Sequence, residues 1–189
     1  MKTVAIVQAR MGSTRLPNKV IKEIVGKPMI ELLLLRLSQS KEIDQIIVAS
    51  STDVKNDALV KVVSRLGFVC FRGSENDVLN RYYEAAKSVN ADVVIRITGD
   101  CPLVDPRLVD SCIKSFKEKN LDYFSNVNPP TFPDGLDVEV MSFTVLEQAQ
   151  NEASTDFDRE HVTPYIRKNE KFSQLSLSNN SDCSSLRWT

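Results

Sequence analysis

Short apolar runs alternate with helical periodicities from the first residues to about residue 119, and few folds accept that order. "TVAIVQA" (3–9) predicts a strand. The helix after it carries Ile30, Leu33, Leu34 and Leu37 at i, i+3, i+4 and i+7, with Pro28 suited to its first turn. "DQIIVAS" (44–50) predicts a second strand, followed by Leu59, Val62, Val63 and Leu66 at the same spacing and by Gly67 as a C-terminal cap. "FVCF" (68–71) leads to Leu79, Tyr82, Tyr83 and Ala86, and "ADVVIRIT" (91–98) leads to Val109, Cys112, Ile113 and Phe116. Four such units in a row predict an α/β fold: a mostly parallel sheet with helices on both faces. Past residue 120 the pattern loosens. "DYFSNV" and "DVEVMS" predict strands around a loop containing Pro129, Pro130 and Pro133. Without a linker, repeat or low-complexity segment, residues 1–189 are expected to form one domain.

Charge and cysteine usage narrow the function classes. Lys plus Arg is 24 and Asp plus Glu is 25, a net charge of −1, which argues against a general polyanion binder and so against nucleic acid as a partner. Cys70, Cys101, Cys112 and Cys183 form no CxxC and no zinc spacing. Residues 1–9 are interrupted by charge too early for a signal peptide, and no apolar run reaches the roughly 20 residues of a membrane helix. The expected setting is the cytoplasm, with free thiols and no membrane.

Ligands of open parallel sheets bind beyond the carboxyl ends of the strands. The first such stretch, Gln8 to Lys19, matches neither a P-loop nor GxGxxG. It presents Arg10, Arg15 and Lys19 around Ala9, Gly12 and Ser13. Two readings stand: a grip on a triphosphate by guanidinium forks and an ammonium, or a solvated basic loop making surface ion pairs. In "RITGDCPLVDP" (96–106), Gly99 allows close backbone approach. Asp100 is placed either to hold Mg²⁺ or to cap a turn. Asp105 reads as the N-cap of a helix over 106–119, and Cys101 as a packing residue. In "FRGSENDVLNRYYEAA" (71–86), Gly73 and Ser74 are expected to end a strand and open a helix, a place for an anion or a base edge. Glu75 and Asp77 suit a first helical turn by charge, and Arg72 and Arg81 are either site residues or surface charges. Asp137 and Glu139 are expected to alternate on one strand face, either solvated or binding sugar hydroxyls or metal. His161, the only histidine, is expected just outside a helix starting at Thr163-Pro164, in a structural or a ligand-binding role.

Taken in order, "IVQARMGSTRLPNKV", "FRGSENDVLNRYYEAA", "RITGDCPLVDP", "PDGLDVEV", "DREHVTPYI" and "LRWT" resemble the spore coat polysaccharide biosynthesis protein F type of cytidylyltransferase. These enzymes are relatives of the synthetases of CMP-activated sugar acids. The resemblance covers nearly the whole chain. It implies a Rossmann-like nucleotidyltransferase (nucleotide-diphospho-sugar transferase) fold and transfer of CMP from CTP to a sugar or sugar acid. Pyrophosphate would leave with Mg²⁺ as cofactor, in surface polysaccharide biosynthesis. It implies that Arg10, Arg15 and Lys19 hold the triphosphate and that Asp100 is a metal ligand. Arg72, Gly73, Ser74 and Arg81 would frame the nucleoside, and Asp137, Glu139, Arg159 and His161 would face the acceptor sugar. It also implies a homodimer. In the resembled family "LRWT" runs on into a strand bearing a further metal-binding aspartate and then a helix. This chain stops at Thr189, so the expectation is a domain without that ligand. Two other readings compete. A glycosyltransferase would use Asp-x-Asp, which occurs only at Asp156-Phe157-Asp158, before a predicted helix. A non-catalytic nucleotide-sugar binding protein would bind CTP and release no pyrophosphate.

Overall fold

The computed structural model describes residues 1–13 and 16–189. Arg15, one of the three cations expected at the triphosphate, lies outside the described residues.

The strand–helix units form where the apolar spacing placed them. β1 (Thr3–Gln8) is followed by a small hairpin of β2 (Glu23–Ile24) and β3 (Lys27–Pro28) and by α1 (Met29–Leu37). Then come β4 (Gln45–Ser51), α2 (Asp57–Arg65), β5 (Val69–Gly73), α3 (Val78–Ser88), β6 (Val93–Thr98) and α4 (Pro106–Glu118). Asp105 caps α4 by accepting the Arg107 N–H, and Gly67 follows α2 at a φ of 82°. The later part contributes β7 (Tyr123–Ser125), β8 (Glu139–Ser142), α5 (Phe143–Glu152), α6 (Asp156–His161), α7 (Pro164–Arg167) and β9 (Gln174–Ser176).

The main sheet runs β5-β4-β1-β6-β8-β7-β9. Its first four strands are mutually parallel, whereas β8 lies antiparallel to both β6 and β7. Side chains alternate between two cores. Ala5 and Val7 of β1 pack with α1, α2 and α4, while Val4 and Ile6 pack with α3, α5 and the α6–α7 region. Both faces are therefore covered, and the inner strands read as continuous apolar runs for that reason. Among the described residues no helix is long and apolar enough to cross a membrane. All four cysteines are free thiols.

The chain leaves β1 toward β4 and β5 on one side, then returns through α3 to add β6 on the other. The crevice between β1 and β6 is the switch point of the sheet, where the loops from neighbouring strands diverge.

Candidate active site

Gln8 is the register partner of Thr98, so the loops leaving β1 and β6 start side by side. The Gly99 N–H donates to the Gln8 carbonyl at 2.8 Å. A Cβ at position 99 would stand 2.7 Å from both the Ala9 Cβ and that carbonyl oxygen, so only glycine lets the two loops touch. Beyond this contact opens a cleft of about 680 Å³. Ala9, Arg10, Gly12, Ser13 and Lys19 form one wall and Arg96, Thr98, Gly99 and Asp100 the other; His161, Arg187 and Thr189 also border it.

The two described cations named in the first loop, Arg10 and Lys19, are paired. Lys19 Nζ lies 3.0 Å from Asp100 Oδ2, and Arg10 Nη1 lies 2.7 Å from Glu75 Oε1. Burial alone would raise the Asp100 carboxyl; the Lys19 hydrogen bond and charge, with help from Thr98, outweigh it and hold the group below the usual range. Glu75 behaves alike, with Ser51 and Arg10 overcoming burial. The loop itself is anchored by a residue that no motif singled out. Asn56, buried, accepts the Met11 N–H at 2.8 Å and donates to the Ser51 hydroxyl at 2.7 Å.

The second motif divides. Arg72 turns toward the loop after β4, donating to the carbonyls of Ser51 and Asp53 and pairing with Asp57 at 2.7 Å. Gly73 ends β5 as expected, but Ser74 does not open a helix. Its hydroxyl accepts the Asp77 N–H, and Asp77 in turn caps α3 by accepting the Asn80 N–H at 2.9 Å. The reason is local: the Ser-x-x-Asp spacing builds a turn before the helix, so the cap falls on the aspartate. Arg81 is buried beneath this turn and donates to the Ser74 carbonyl. Its Nε and the Gln8 Oε1 have no hydrogen-bond partner among the described residues. Both residues border a recess of about 140 Å³ continuous with the ends of Ala9 and Arg10 and walled by Glu160 and His161.

The segments expected at the acceptor divide as well. Asp137 lies two residues before Glu139, the first residue of β8, and so outside the strand expected to hold both. There the Asn126 N–H donates to the Val138 carbonyl at 3.2 Å, and the Asn126 side chain accepts the Val138 N–H and donates to the Leu136 carbonyl, each at 2.8 Å. Glu139 is buried and takes hydrogen bonds from Arg96 and from the Tyr123 hydroxyl. Arg159 is a strut: it pairs with Asp77 at 2.6 Å and donates to the Gln150 and Ala153 carbonyls, tying α6 to α3 and α5. The helix expected at Thr163-Pro164 forms as α7 with Thr163 at its N-cap, so His161 does lie just outside its start. The helix before it was not expected. His161 is the last residue of α6, a six-residue helix capped by the Thr155 hydroxyl, too short to leave an apolar period. The Asp-x-Asp pair lies in the first turn of that helix, with Asp158 buried against Lys168 at 2.8 Å.

The residues near Asp100 suit a divalent cation. Asp137 is pushed up to about 6 by burial and by the charges of Asp134, Glu139 and Asp100. A carboxylate group that keeps a proton against its neighbours' charge is one that a cation would relieve, and an all-oxygen donor set is what magnesium and manganese prefer. Among the described residues no three His, Cys, Asp or Glu side chains gather into a complete cage. The donors present therefore fit a cation that takes one or two carboxylates and completes its shell from phosphate oxygens and water.

A family model described as cytidylyltransferase matches residues 4–181. The chain belongs to the cytidylyltransferase family. It is 38% identical over 167 residues to the spore coat polysaccharide biosynthesis protein SpsF of Bacillus subtilis, covering 86% of this chain and 68% of that one. It is 44% identical over 169 residues to an uncharacterized protein of Methanocaldococcus jannaschii, covering 89% of this chain and 68% of that one. A solved cytidylyltransferase from Leptospira borgpetersenii superposes with a TM-score of 0.95 at 34% identity, over 99% of this chain and 80% of that one. This cytidylyltransferase is a nucleotidyltransferase by family, and two residues that the motif reading passed over shape its cleft. Arg96 forms part of the wall, and Asn56 holds the first loop. An arginine third from the end of β6, among Val93, Val94, Ile95 and Ile97, was the available signal for the former.

Proposed function

We propose that this cytidylyltransferase transfers CMP from CTP to a sugar or sugar acid with release of pyrophosphate, in the cytoplasm and with Mg²⁺, in surface polysaccharide biosynthesis. The observation that carries the reading is the meeting of Lys19 and Asp100 across the switch-point crevice, with Arg10 alongside. It brings phosphate-binding cations and a cation-binding carboxylate into one cleft.

The reaction asks for positioning and charge dispersal more than for covalent chemistry. An acceptor hydroxyl oxygen attacks the α-phosphorus, the bond to the bridging oxygen of the β-phosphate breaks, and pyrophosphate leaves as the hydroxyl proton is lost. Arg10, Lys19 and Arg15 receive the phosphate charge, with the N–H groups of Gly12 and Ser13 nearby. Arg10 and Lys19 exchange their present partners, Glu75 and Asp100, for phosphate oxygens. Asp100 is then free for the cation, which supplies charge neutralisation and in-line alignment when bound. Gln8 and Arg81, with Gly73 and Ser74 above them, offer unpaired polar atoms for the nucleoside. Asp137 and His161 face the acceptor. Arg72, Glu139 and Arg159, each engaged with protein partners, enter as supports for these contacts.

Incubation of the chain with each nucleoside triphosphate, Mg²⁺ and a panel of sugars and sugar acids tests the reading. Pyrophosphate release with CTP and an acceptor is expected. CTP binding without pyrophosphate on any acceptor would favour a purely binding role.

A further inference from the structure

The loop between β7 and β8 carries a second stretch of chain against it. The Asp134 N–H donates to the Leu186 carbonyl at 2.9 Å and the Trp188 N–H donates to the Asp134 carbonyl at 2.7 Å, a parallel bridge between Asp134 and Arg187. Arg187 Nε also lies 3.6 Å from the Asp134 carboxylate. Gly135 completes the fit. Its φ is 107°, and a Cβ there would stand 3.0 Å from the Trp188 carbonyl carbon and 3.2 Å from the Thr189 nitrogen. Only glycine combines that backbone with so close an approach.

Held in this way, the stretch gives the cleft two residues, Arg187 and Thr189. The Thr189 hydroxyl meets both halves of the Lys19–Asp100 pair. It donates to the Asp100 carbonyl at 3.0 Å, and Lys19 Nζ lies 3.5 Å from the same hydroxyl oxygen. Chemistry fixes the direction. A carbonyl only accepts and an ammonium only donates, so the hydroxyl proton points to Asp100 and the lone pairs remain for Lys19. Asp100 is therefore held twice, its carboxylate by Lys19 at 3.0 Å and its main chain by Thr189. A phosphate that draws Lys19 away removes the first hold and leaves the second.

We propose that Thr189 is a positioning residue for the cation site. Its hydroxyl fixes the main chain of Asp100, so the carboxylate stays in place beyond β6 when Lys19 leaves it for phosphate. Thr189 acts through Asp100. The effect on cation binding rests on the proposed CMP transfer; the seating of residues 186–189 on Asp134 and Gly135 does not.

The test compares the wild-type chain with Thr189→Val, which keeps the shape and removes the hydroxyl, and with Thr189→Ser, which keeps the hydroxyl. Each is checked for folding by circular dichroism. CTP affinity is measured by calorimetry without acceptor, once with Mn²⁺ and once with a chelator. By linkage, the factor by which Mn²⁺ tightens CTP is the factor by which CTP tightens Mn²⁺. That factor is expected to shrink about three- to tenfold in Thr189→Val, the size of one hydrogen bond, while affinity in chelator stays within about twofold of wild type. Thr189→Ser should restore the wild-type factor. An unchanged factor in Thr189→Val overturns the proposal, as does a Thr189→Ser variant no better than Thr189→Val. Trp188 is the only tryptophan in the chain, so its fluorescence gives a second readout that needs no ligand. Its quenching by acrylamide should rise in Thr189→Val. A wild-type chain whose CTP binding gains nothing from Mn²⁺ counts against the transfer reading. The quenching then decides, and a Thr189→Val variant quenched like wild type overturns the proposal.

Discussion

Lys19 and Asp100, 81 residues apart in sequence, meet at 3.0 Å across the crevice between β1 and β6. The pair joins the basic loop to the carboxylate that follows β6. Its side chains are 19% and 40% exposed, so its contribution to stability is small, about 0–1 kcal/mol. Its worth lies in the two charges it keeps ready. Lys19→Met and Asp100→Asn are each expected to leave the melting temperature within a few degrees of wild type. Each should lower CMP transfer by about 10²–10³. Thermal melts beside a pyrophosphate assay check both halves.

Gly99 is expected to tolerate no side chain. An added methyl group would meet the Ala9 Cβ and the Gln8 backbone carbonyl at 2.7 Å, and the carbonyl is fixed in the sheet. Gly99→Ala should cost about 1–3 kcal/mol, the usual range for overpacking. In a chain of this size that is a drop in melting temperature of roughly 3–10 °C. Denaturation of the variant with an unchanged midpoint would contradict the close contact of the two loops.

Asp137 gives the pH dependence a sign. Its carboxyl ionises near 3.8 when unfolded and at about 6 when folded, because burial and the charges of Asp134, Glu139 and Asp100 oppose ionisation. Between those pH values the folded chain holds the extra proton, so stability from this group falls as pH rises. Asp137→Asn removes the dependence. In the presence of a chelator, the melting temperature of the variant relative to wild type should therefore rise from pH 4 to pH 7. A difference that stays flat would contradict it.

The cysteines should divide by burial. Cys101 and Cys112 are buried, and burial pushes each thiol up to about 12. Few thiolates form there at neutral pH, and thiolate is the reactive species. Cys70 and Cys183, at intermediate exposure, are expected to react first with a disulfide reagent, and Cys101 and Cys112 only after denaturation. Rapid modification of four thiols in the folded chain would contradict this packing.

The elements legible in sequence were those with a repeating apolar signal. Ile30, Leu33, Leu34 and Leu37 are all fully buried, and the helices marked by Leu79 and Val109 stand where their spacing put them. The meeting of the first loop with Asp100 follows from strand ends in a parallel sheet, and so was legible too. What escaped the sequence was held by single side chains. The six-residue α6 has no period to detect. Asn126 takes the Val138 N–H on its side chain, and β8 begins only at Glu139, which leaves Asp137 outside the strand that the alternation gave it. Arg72 and Arg159 looked like ligand-binding charges because nothing local names their acceptors, which are carbonyls and carboxylates brought in by other segments.

The most direct test of the central claim is pyrophosphate release from CTP with an acceptor and Mg²⁺, measured for wild type beside folded Arg10→Ala and Asp100→Ala. Release by the wild type, nearly abolished in both variants, is the predicted result. Wild-type turnover in either folded variant would contradict it.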